Sequence, residues 1–404
     1  MRRCTFILST LLAVSTTAFA AGSIFSGLAD YGLWETFTSS RAAGFGKAGL
    51  ALGDSVGLNF MNPADLASLK KTRVSVGGFL TNTRMEDPYG VDSEDWAQFE
   101  HFGVAIVLRS GLGLGFFITP ASRIDYRYNW QSEAGGVDFT ETRSGSGGLS
   151  RTGLNVGWAF SEWGKIGASA AVLFGQVEES RISYTEESGY DPYIEFLNTQ
   201  QWLGFTGSIG VLLEPTPKFS IAAILEPEAP IQLDNEFAYS EEDSMVLTEA
   251  EYKLAGLYGI GLSYQFSPHL LTSAQLLYRP WSAVDDLPVI TDEYQDAVEI
   301  GGGLEWIPGE WDDEFFFSRL QYRAGLRYES NYVKSQGSSL NGYYGTFGIG
   351  IPLHQGRDRI DLSLEYGLRG DITDNGGQER ILKIRAGINL GETWFVRSKP
   401  SWED

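Results

Sequence analysis

From Val74 to Leu390, apolar residues recur at every second position, with glycine, serine and charged residues between them. Leu320, Tyr322, Ala324, Leu326 and Tyr328 alternate with Arg319, Gln321, Arg323, Gly325 and Arg327, and Leu382, Ile384, Ala386, Ile388 and Leu390 alternate with Lys383, Arg385, Gly387 and Asn389. A period of two is the period of a strand. The pattern predicts strands near residues 72–84, 97–109, 112–130, 147–160, 165–185, 196–214, 218–234, 248–266, 269–281, 294–307, 316–330, 342–351, 358–370 and 378–391, an even number. Their connections alternate between tight turns, such as Ser110-Gly111, Pro215 to Pro217 and Ser267-Pro268, and longer acidic stretches, such as Glu86 to Asp95, Glu187 to Tyr193, Glu241 to Glu251 and Asp285 to Asp296. Short turns at one end and long loops at the other predict an all-β fold: a transmembrane antiparallel barrel of about 14 strands, both chain ends in the periplasm.

Alternation alone does not say which face is wet, and a soluble sandwich or a propeller also has many short strands. No repeat of about 40 residues marks propeller blades. Three features favour the membrane. Residues 1–20 have the form of a secretory signal: Arg2 and Arg3, an apolar run from Phe6 to Val14, and the small-residue site Ala18-Phe19-Ala20. The mature chain is expected to begin near Ala21. Turn lengths alternate, and aromatics stand at strand ends: Trp158, Phe160, Phe266, Trp281, Trp306, Trp394 and Phe395. Beyond the signal no apolar run reaches the length of a transmembrane helix, and the slightly negative mean hydropathy is what strands with one wet face produce.

Cys4, the single cysteine, lies in the signal, so no disulfide or cysteine metal site is expected after cleavage. Losing Arg2 and Arg3 leaves 28 basic against 52 acidic residues, a net charge of −24. That balance argues against nucleic acid as a partner, because phosphate binding needs clustered Lys and Arg.

Residues 21–71 do not alternate; preceding the first strand, this segment is either a periplasmic foot under the barrel or a plug inside it. Arg41 to Leu52 is rich in small residues, and Asn62-Pro63-Ala64-Asp65-Leu66-Ala67 has an N-cap asparagine followed by proline at the first helical position. The stretches Ser40-Arg41-Ala42-Ala43-Gly44-Phe45-Gly46-Lys47-Ala48-Gly49 and Asn59-Phe60-Met61-Asn62-Pro63-Ala64-Asp65-Leu66, with the ending Leu390-Gly391-Glu392-Thr393-Trp394-Phe395, resemble the FadL-type outer-membrane transporter family, including its PorV-like relatives. The resemblance implies a hatch with an Asn-Pro-Ala motif inside the barrel. It also implies passage of hydrophobic molecules, fatty acids among them, and sideways release where the third strand kinks. Pro120, in Ile118-Thr119-Pro120-Ala121-Ser122-Arg123, stands where that opening is expected, since proline removes a ladder donor.

Inward positions carry charge. Glu299 and Glu305 are expected beside Arg319, Arg323 and Arg327, and Asp361 and Glu365 beside Lys383 and Arg385, as mutually satisfied pairs on adjacent strands. A substrate carboxylate would want an arginine without a protein partner, for which Arg123, Arg127 and Arg151 are candidates. Asp92, Glu94 and Asp95 are close in sequence but lack an EF-hand pattern, and no metal or other cofactor is assigned. Of the three histidines, His101 faces inward and His269 and His354 sit at turns; none has a serine partner in a recognisable motif, so no catalytic residue and no enzyme is expected.

The expected organisation is a signal (1–20), a hatch (21–71), a barrel (72–391) and a periplasmic tail (392–404) in the Gram-negative outer membrane. The expected function is a channel for hydrophobic small molecules, in contact with outer-membrane lipids and gated by Asn62, Pro63, Ala64 and Pro120. The alternatives are a PorV-like barrel serving a protein secretion system and a structural or adhesive barrel.

Overall fold

A computed structural model of the chain describes residues 22–28, 31–134, 137–184, 193–239, 242–285, 287–288, 294–309, 313, 315–354 and 356–392. The expected signal and the tail beyond Glu392, with Trp394 and Phe395, lie outside the described residues, as does the Glu187 to Tyr193 loop up to Asp191-Pro192.

Fourteen antiparallel strands form the wall. They are β1 (Thr72–Asp87), β2 (Gly90–Arg109), β3 (Leu112–Pro120 continued by Ser122–Ala134), β4 (Val137–Ala159), β5 (Gly164–Tyr184), β6 (Tyr193–Thr216), β7 (Phe219–Glu226 continued by Ala229–Tyr239), β8 (Glu242–Leu254 continued by Leu257–Ser267), β9 (Leu270–Arg279), β10 (Ala297–Trp306), β11 (Gln321–Ser335), β12 (Ser338–Leu353), β13 (Asp358–Arg369) and β14 (Gln378–Glu392). Each pairs with its sequence neighbours, and β14 returns to β1 from Gln378↔Glu86 to Glu392↔Thr72, closing the barrel. Closure satisfies the backbone without water, which the hydrocarbon layer demands.

Burial decides which face is wet. On β13, Leu362, Leu364 and Tyr366 are exposed while Asp361, Ser363 and Glu365 are buried; on β14, Leu382 and Ile384 are exposed while Lys383 and Arg385 are buried. Apolar outside and charged inside is the order of a membrane barrel, the reverse of a soluble sandwich. Exposed Trp158, Phe160, Trp163, Phe266 and Trp306 ring the end that carries turns such as Ser110-Gly111, and exposed Tyr258, Tyr278, Tyr343 and Tyr366 ring the other. These are the two aromatic girdles, and the chain is an outer-membrane barrel.

Three sequence expectations need correction. Glu86 to Asp95 and Glu241 to Glu251 are not loops: β1 and β2 run on to a turn at Pro88-Tyr89, and β8 already begins at Glu242. Strands that leave the membrane become polar on both faces, as in the outward pair Asn82 and Asp95 (2.8 Å), and so look like loops in sequence. Trp281 belongs to no girdle, being fully buried in the lumen. Arg319 precedes β11 in the turn Phe316–Arg319, its guanidinium 5.6 Å from the Phe316 ring centroid, so it is no part of the lumen lining.

The hatch is wedged between two glycine patches on opposite walls. The turn Gly44 to Gly46 lies against Gly303 and Gly325 of β10 and β11 and Gly348 of β12, where any side chain would meet the hatch backbone. The 3-10 turn Pro63–Ser68 lies against Gly113, Gly157, Gly167 and Gly210 of β3 to β6 in the same way. Gly46 has φ +65° and its missing side chain would strike the Leu326 carbonyl, so both conformation and contact require glycine there. Towards the outer end an apolar core closes the lumen around the hatch: Tyr31 packs against Trp202 (5.2 Å) and Trp281 (5.6 Å), and Trp281 stacks on Tyr332 (4.5 Å).

Candidate functional site: a break in the barrel wall

The ladder between β2 and β3 runs from Arg109↔Leu112 to Phe102↔Ile118 and stops. Beyond it, Gly90 to His101 pair with β1, and Ile124 to Ala134 pair with β4, but not with each other. Pro120 ends the paired half of β3, bringing no N–H to the ladder. Across from the bend, Gly147 (φ +125°) and Gly148 (φ +141°) of β4 take conformations that L side chains rarely adopt, and a side chain on Gly148 would meet the Ser122 carbonyl. Proline on one strand and two glycines on the next thus turn β3 away from β2.

The hatch meets the edge that this exposes. Leu33 and Trp34 pair with Arg123 and Ser122, the Glu35 amide donates to the Ala121 carbonyl (2.8 Å), and the Ser23 amide donates to the Asp125 carbonyl (2.7 Å). An unpaired edge invites such strand addition. Side chains span the break itself. Arg123 of β3 donates to Gln98 Oε1 of β2 (3.1 Å), lies 3.3 Å from the Trp96 ring centroid, and donates to Asp125 (2.7 Å). The Gly22 amide donates to the Glu94 carboxylate.

Behind this latch lies a cavity of about 70 Å³, lined by Trp96 and Arg123 from the two lips, Trp34, Glu35 and Lys47 from the hatch, and Glu365 and Lys383 from β13 and β14. Burial pushes the Glu35 carboxyl up, but Lys383 (3.4 Å) and Lys47 outweigh it and bring it down to about 2. Burial likewise opposes ionisation of Asp54, which Arg359 and Arg41 hold well below the usual carboxylate range. Asp65 goes the other way. Burial, and then the charge of Asp54, raise it to about 7, and its Oδ1 has no hydrogen-bond partner.

The expected lumen pairs exist, but they are woven into the hatch. Glu305 binds Arg323 (2.7 Å) and also Arg41 of the hatch (2.6 Å). Glu299 lies 3.8 Å from Arg327 and 3.9 Å from Lys47, and Glu365 lies 3.4 Å from both Arg327 and Arg385. Asp361 departs from expectation: its partners are Arg323 (2.5 Å) and Arg359 (2.8 Å), not Lys383 or Arg385, because it stands opposite Gly387 on β14. Arg359 in turn binds Asp54, so the β13 charges reach the hatch.

Asn62 is fully buried; its Oδ1 accepts from the Ala64 amide (3.1 Å) and its amide donates to the Leu50 and Val211 carbonyls (3.3 and 3.2 Å). Of the arginines considered for a carboxylate, Arg123 is held in the latch, Arg151 binds Glu226 (2.7 Å), and Arg127 is exposed. Sequence reasoning missed Trp96, Gln98 and Asp125. It also missed a serine for His101: Ser75 Oγ lies 2.8 Å from its Nε2, while Glu100 stands 3.6 Å from its Nδ1. The signal was the pair Gly77-Gly78, which sits opposite a bulge that turns Glu100 and His101 both inward. Ser75 is 2 % exposed, and Glu100 is beyond hydrogen-bond reach of the ring, so the group is a packed cluster under Phe37. Among the described residues no three His, Cys, Asp or Glu side chains gather as metal ligands, and Asp95 instead accepts from Asn82.

Solved structures share this fold. A Pseudomonas aeruginosa FadL homologue matches with TM-score 0.60 at 11% identity over 89% of this chain and 99% of its own. The P. putida toluene transporter TodX matches with TM-score 0.58 at 14% identity over 90% and 100%, and the Ralstonia pickettii toluene transporter TbuX with 0.57 at 14% over 89% and 99%. No curated protein matches the sequence. The family model described as BamG matches residues 1–400.

Proposed function

The chain belongs to the BamG family and folds as a FadL-type outer-membrane barrel, and on that footing we propose that it is a channel for hydrophobic small molecules that leave sideways between β2 and β3. The observation that carries the proposal is the end of the β2–β3 ladder at Phe102↔Ile118, with a lumen cavity lined by Trp96 and Arg123 from the two lips. A strand edge parted from its neighbour at membrane depth is tolerated only where protein covers it or it lines a cavity, and here the hatch covers the β3 edge at Ala121 to Asp125 while the cavity lies behind the β2 edge. Phe99, on the outward face of β2 beside the break, is exposed, so the break borders the apolar band. The toluene transporters among the structural neighbours support a small apolar cargo, and fatty acids fit the same route. Passage requires the hatch to yield, because Asn62, Pro63 and Ala64 sit directly on the glycine wall.

The test is entry of radiolabelled toluene and decanoate into lipopolysaccharide-walled cells with and without the chain. Faster entry with the chain, and faster still with Arg123→Ala, is expected; equal entry in all three overturns the proposal.

One observation favours a second role, service to an envelope protein machine. The hatch is tied to the wall by Arg41, Asp54, Glu35 and Lys47 and capped by the Tyr31 and Trp281 core, which suits a closed scaffold. That role predicts co-purifying envelope proteins and loss of secreted or assembled cargo on deletion, with uptake unchanged.

A further inference from the structure

The connection between β10 and β11 is unlike the others at its end of the barrel. Two residues join β2 to β3, β6 to β7 and β8 to β9, whereas fourteen, 307–320, join β10 to β11. That connection carries Phe315, Phe316 and Phe317, all three exposed, with the Phe317 ring 5.5 Å from Phe315 and 5.6 Å from Phe316. Phenylalanine has no polar atom to offer water, so three adjacent exposed rings mark a surface that something apolar covers.

The position of the turn says what covers it. Tyr322 of β11 stands opposite exposed Trp306 of the girdle, their rings 5.9 Å apart, and alternates with Arg323, which is buried in the lumen. Tyr322 is therefore on the membrane face, and its hydroxyl donates to the Phe317 carbonyl (3.1 Å). The turn is thus tied to the outside of the wall at girdle level, where aromatic side chains meet headgroups and acyl chains. A cation stands beside the three rings. The Arg319 guanidinium lies 5.6 Å from the Phe316 ring centroid. The lumen arginines Arg323, Arg327, Arg359 and Arg385 each bind a carboxylate, but Arg319 has no ion pair among the described residues, and Asp313 of the same turn lies against Gly309 instead.

We infer that this turn is a phospholipid-binding site on the outside of the barrel. The three phenylalanines enter the acyl layer, and Arg319 binds the phosphate of the same lipid. A guanidinium stacked on an aromatic ring keeps its in-plane N–H groups free, and these match a phosphate as a fork. The site lies on the membrane face of β10 and β11, so it stands independently of the route between β2 and β3.

Two measurements on the full chain test the site. In cell envelopes, photoreactive benzoylphenylalanine replaces Phe316 or, as control, Tyr89, which is exposed in the turn between β1 and β2 at the opposite end. Illumination is expected to give a phospholipid adduct at position 316 and none at 89. A protein adduct at 316, no adduct there, or an equal lipid adduct at 89 overturns the site. Native mass spectrometry of the purified chain in neutral detergent then compares a phosphatidylglycerol with a diacylglycerol of the same tails. The phosphate is expected to give about tenfold tighter binding. Arg319→Gln, which breaks no ion pair, is expected to remove most of that preference, and Lys218→Gln, exposed on the turn between β6 and β7, to leave it. No preference in the parent chain, a preference unchanged in Arg319→Gln, or an equal loss in Lys218→Gln overturns Arg319 as the phosphate ligand.

Discussion

The Arg123 guanidinium lies 3.3 Å from the centroid of the Trp96 ring, joining two strands that the β-ladder leaves apart. A planar guanidinium can stack on an indole and still donate to Gln98 and Asp125, which an ammonium cannot do. Arg123→Lys is therefore expected to loosen the latch nearly as much as Arg123→Ala. The check is alkylation of Gln98→Cys by a membrane-dissolved maleimide, which should be several-fold faster in either background; an unchanged rate in Arg123→Ala means that the latch is not what closes the wall.

The ion network predicts a strong cost for removing one partner. Arg41→Met leaves Glu305 and Asp54 short of a cation in the lumen, and breaking a buried pair from one side costs about 3–5 kcal/mol. Thermal unfolding and protease cleavage between Ala42 and Leu52 should both show it. Arg41→Met combined with Glu305→Met should recover part of the loss.

The glycine seats predict overpacking. Gly167→Val would drive a side chain into the Pro63-Ala64 peptide, and Gly325→Val into Phe45-Gly46, each costing about 1–3 kcal/mol. Both should admit small hydrophilic solutes to reconstituted vesicles, as a displaced plug leaves an open lumen. Gly345→Val meets nothing within 4 Å and is the control expected to stay sealed.

Asp65 makes hatch seating depend on pH. Its folded value of about 7 lies above the ordinary 3.8, so between those values the folded hatch holds a proton that the released chain does not. Its contribution is fully present below about pH 4 and is lost as pH rises through 7. Asp65→Asn removes the ionisable oxygen at nearly the same size. The melting temperature of the variant minus that of the parent chain should therefore grow from about pH 5 to about pH 8. A constant difference would show that the carboxyl titrates normally inside the fold.

Strand positions were legible because lipid outside and charge inside impose alternation on every spanning segment, as in Leu362 to Tyr366. Strand ends were not, since β1 and β2 beyond the membrane are polar on both faces, and Asn82 and Asp95 look like loop residues until paired. Pro120 marked the bend, but the latch could not be foreseen. Arg123 seemed free because few acids lie near it in the sequence, yet Asp125, two residues along the same strand, binds it, and its other partners, Gln98 and Trp96, lie on another strand that changes phase at Glu100. The same bulge hid the contact of Ser75 with His101. The hatch signature at Asn62-Pro63-Ala64 was visible, whereas its seats are glycines scattered over seven strands and become a surface only when the barrel closes.

On the sideways route, molecules leave through the break between β2 and β3. The direct measurement is uptake by cells carrying Gln98→Cys with Arg123→Cys, before and after joining the two cysteines with a short, reducible bifunctional thiol cross-linker. The cross-link is expected to stop uptake of toluene and decanoate, and reduction to restore it. Unchanged uptake across a closed break would contradict the sideways route.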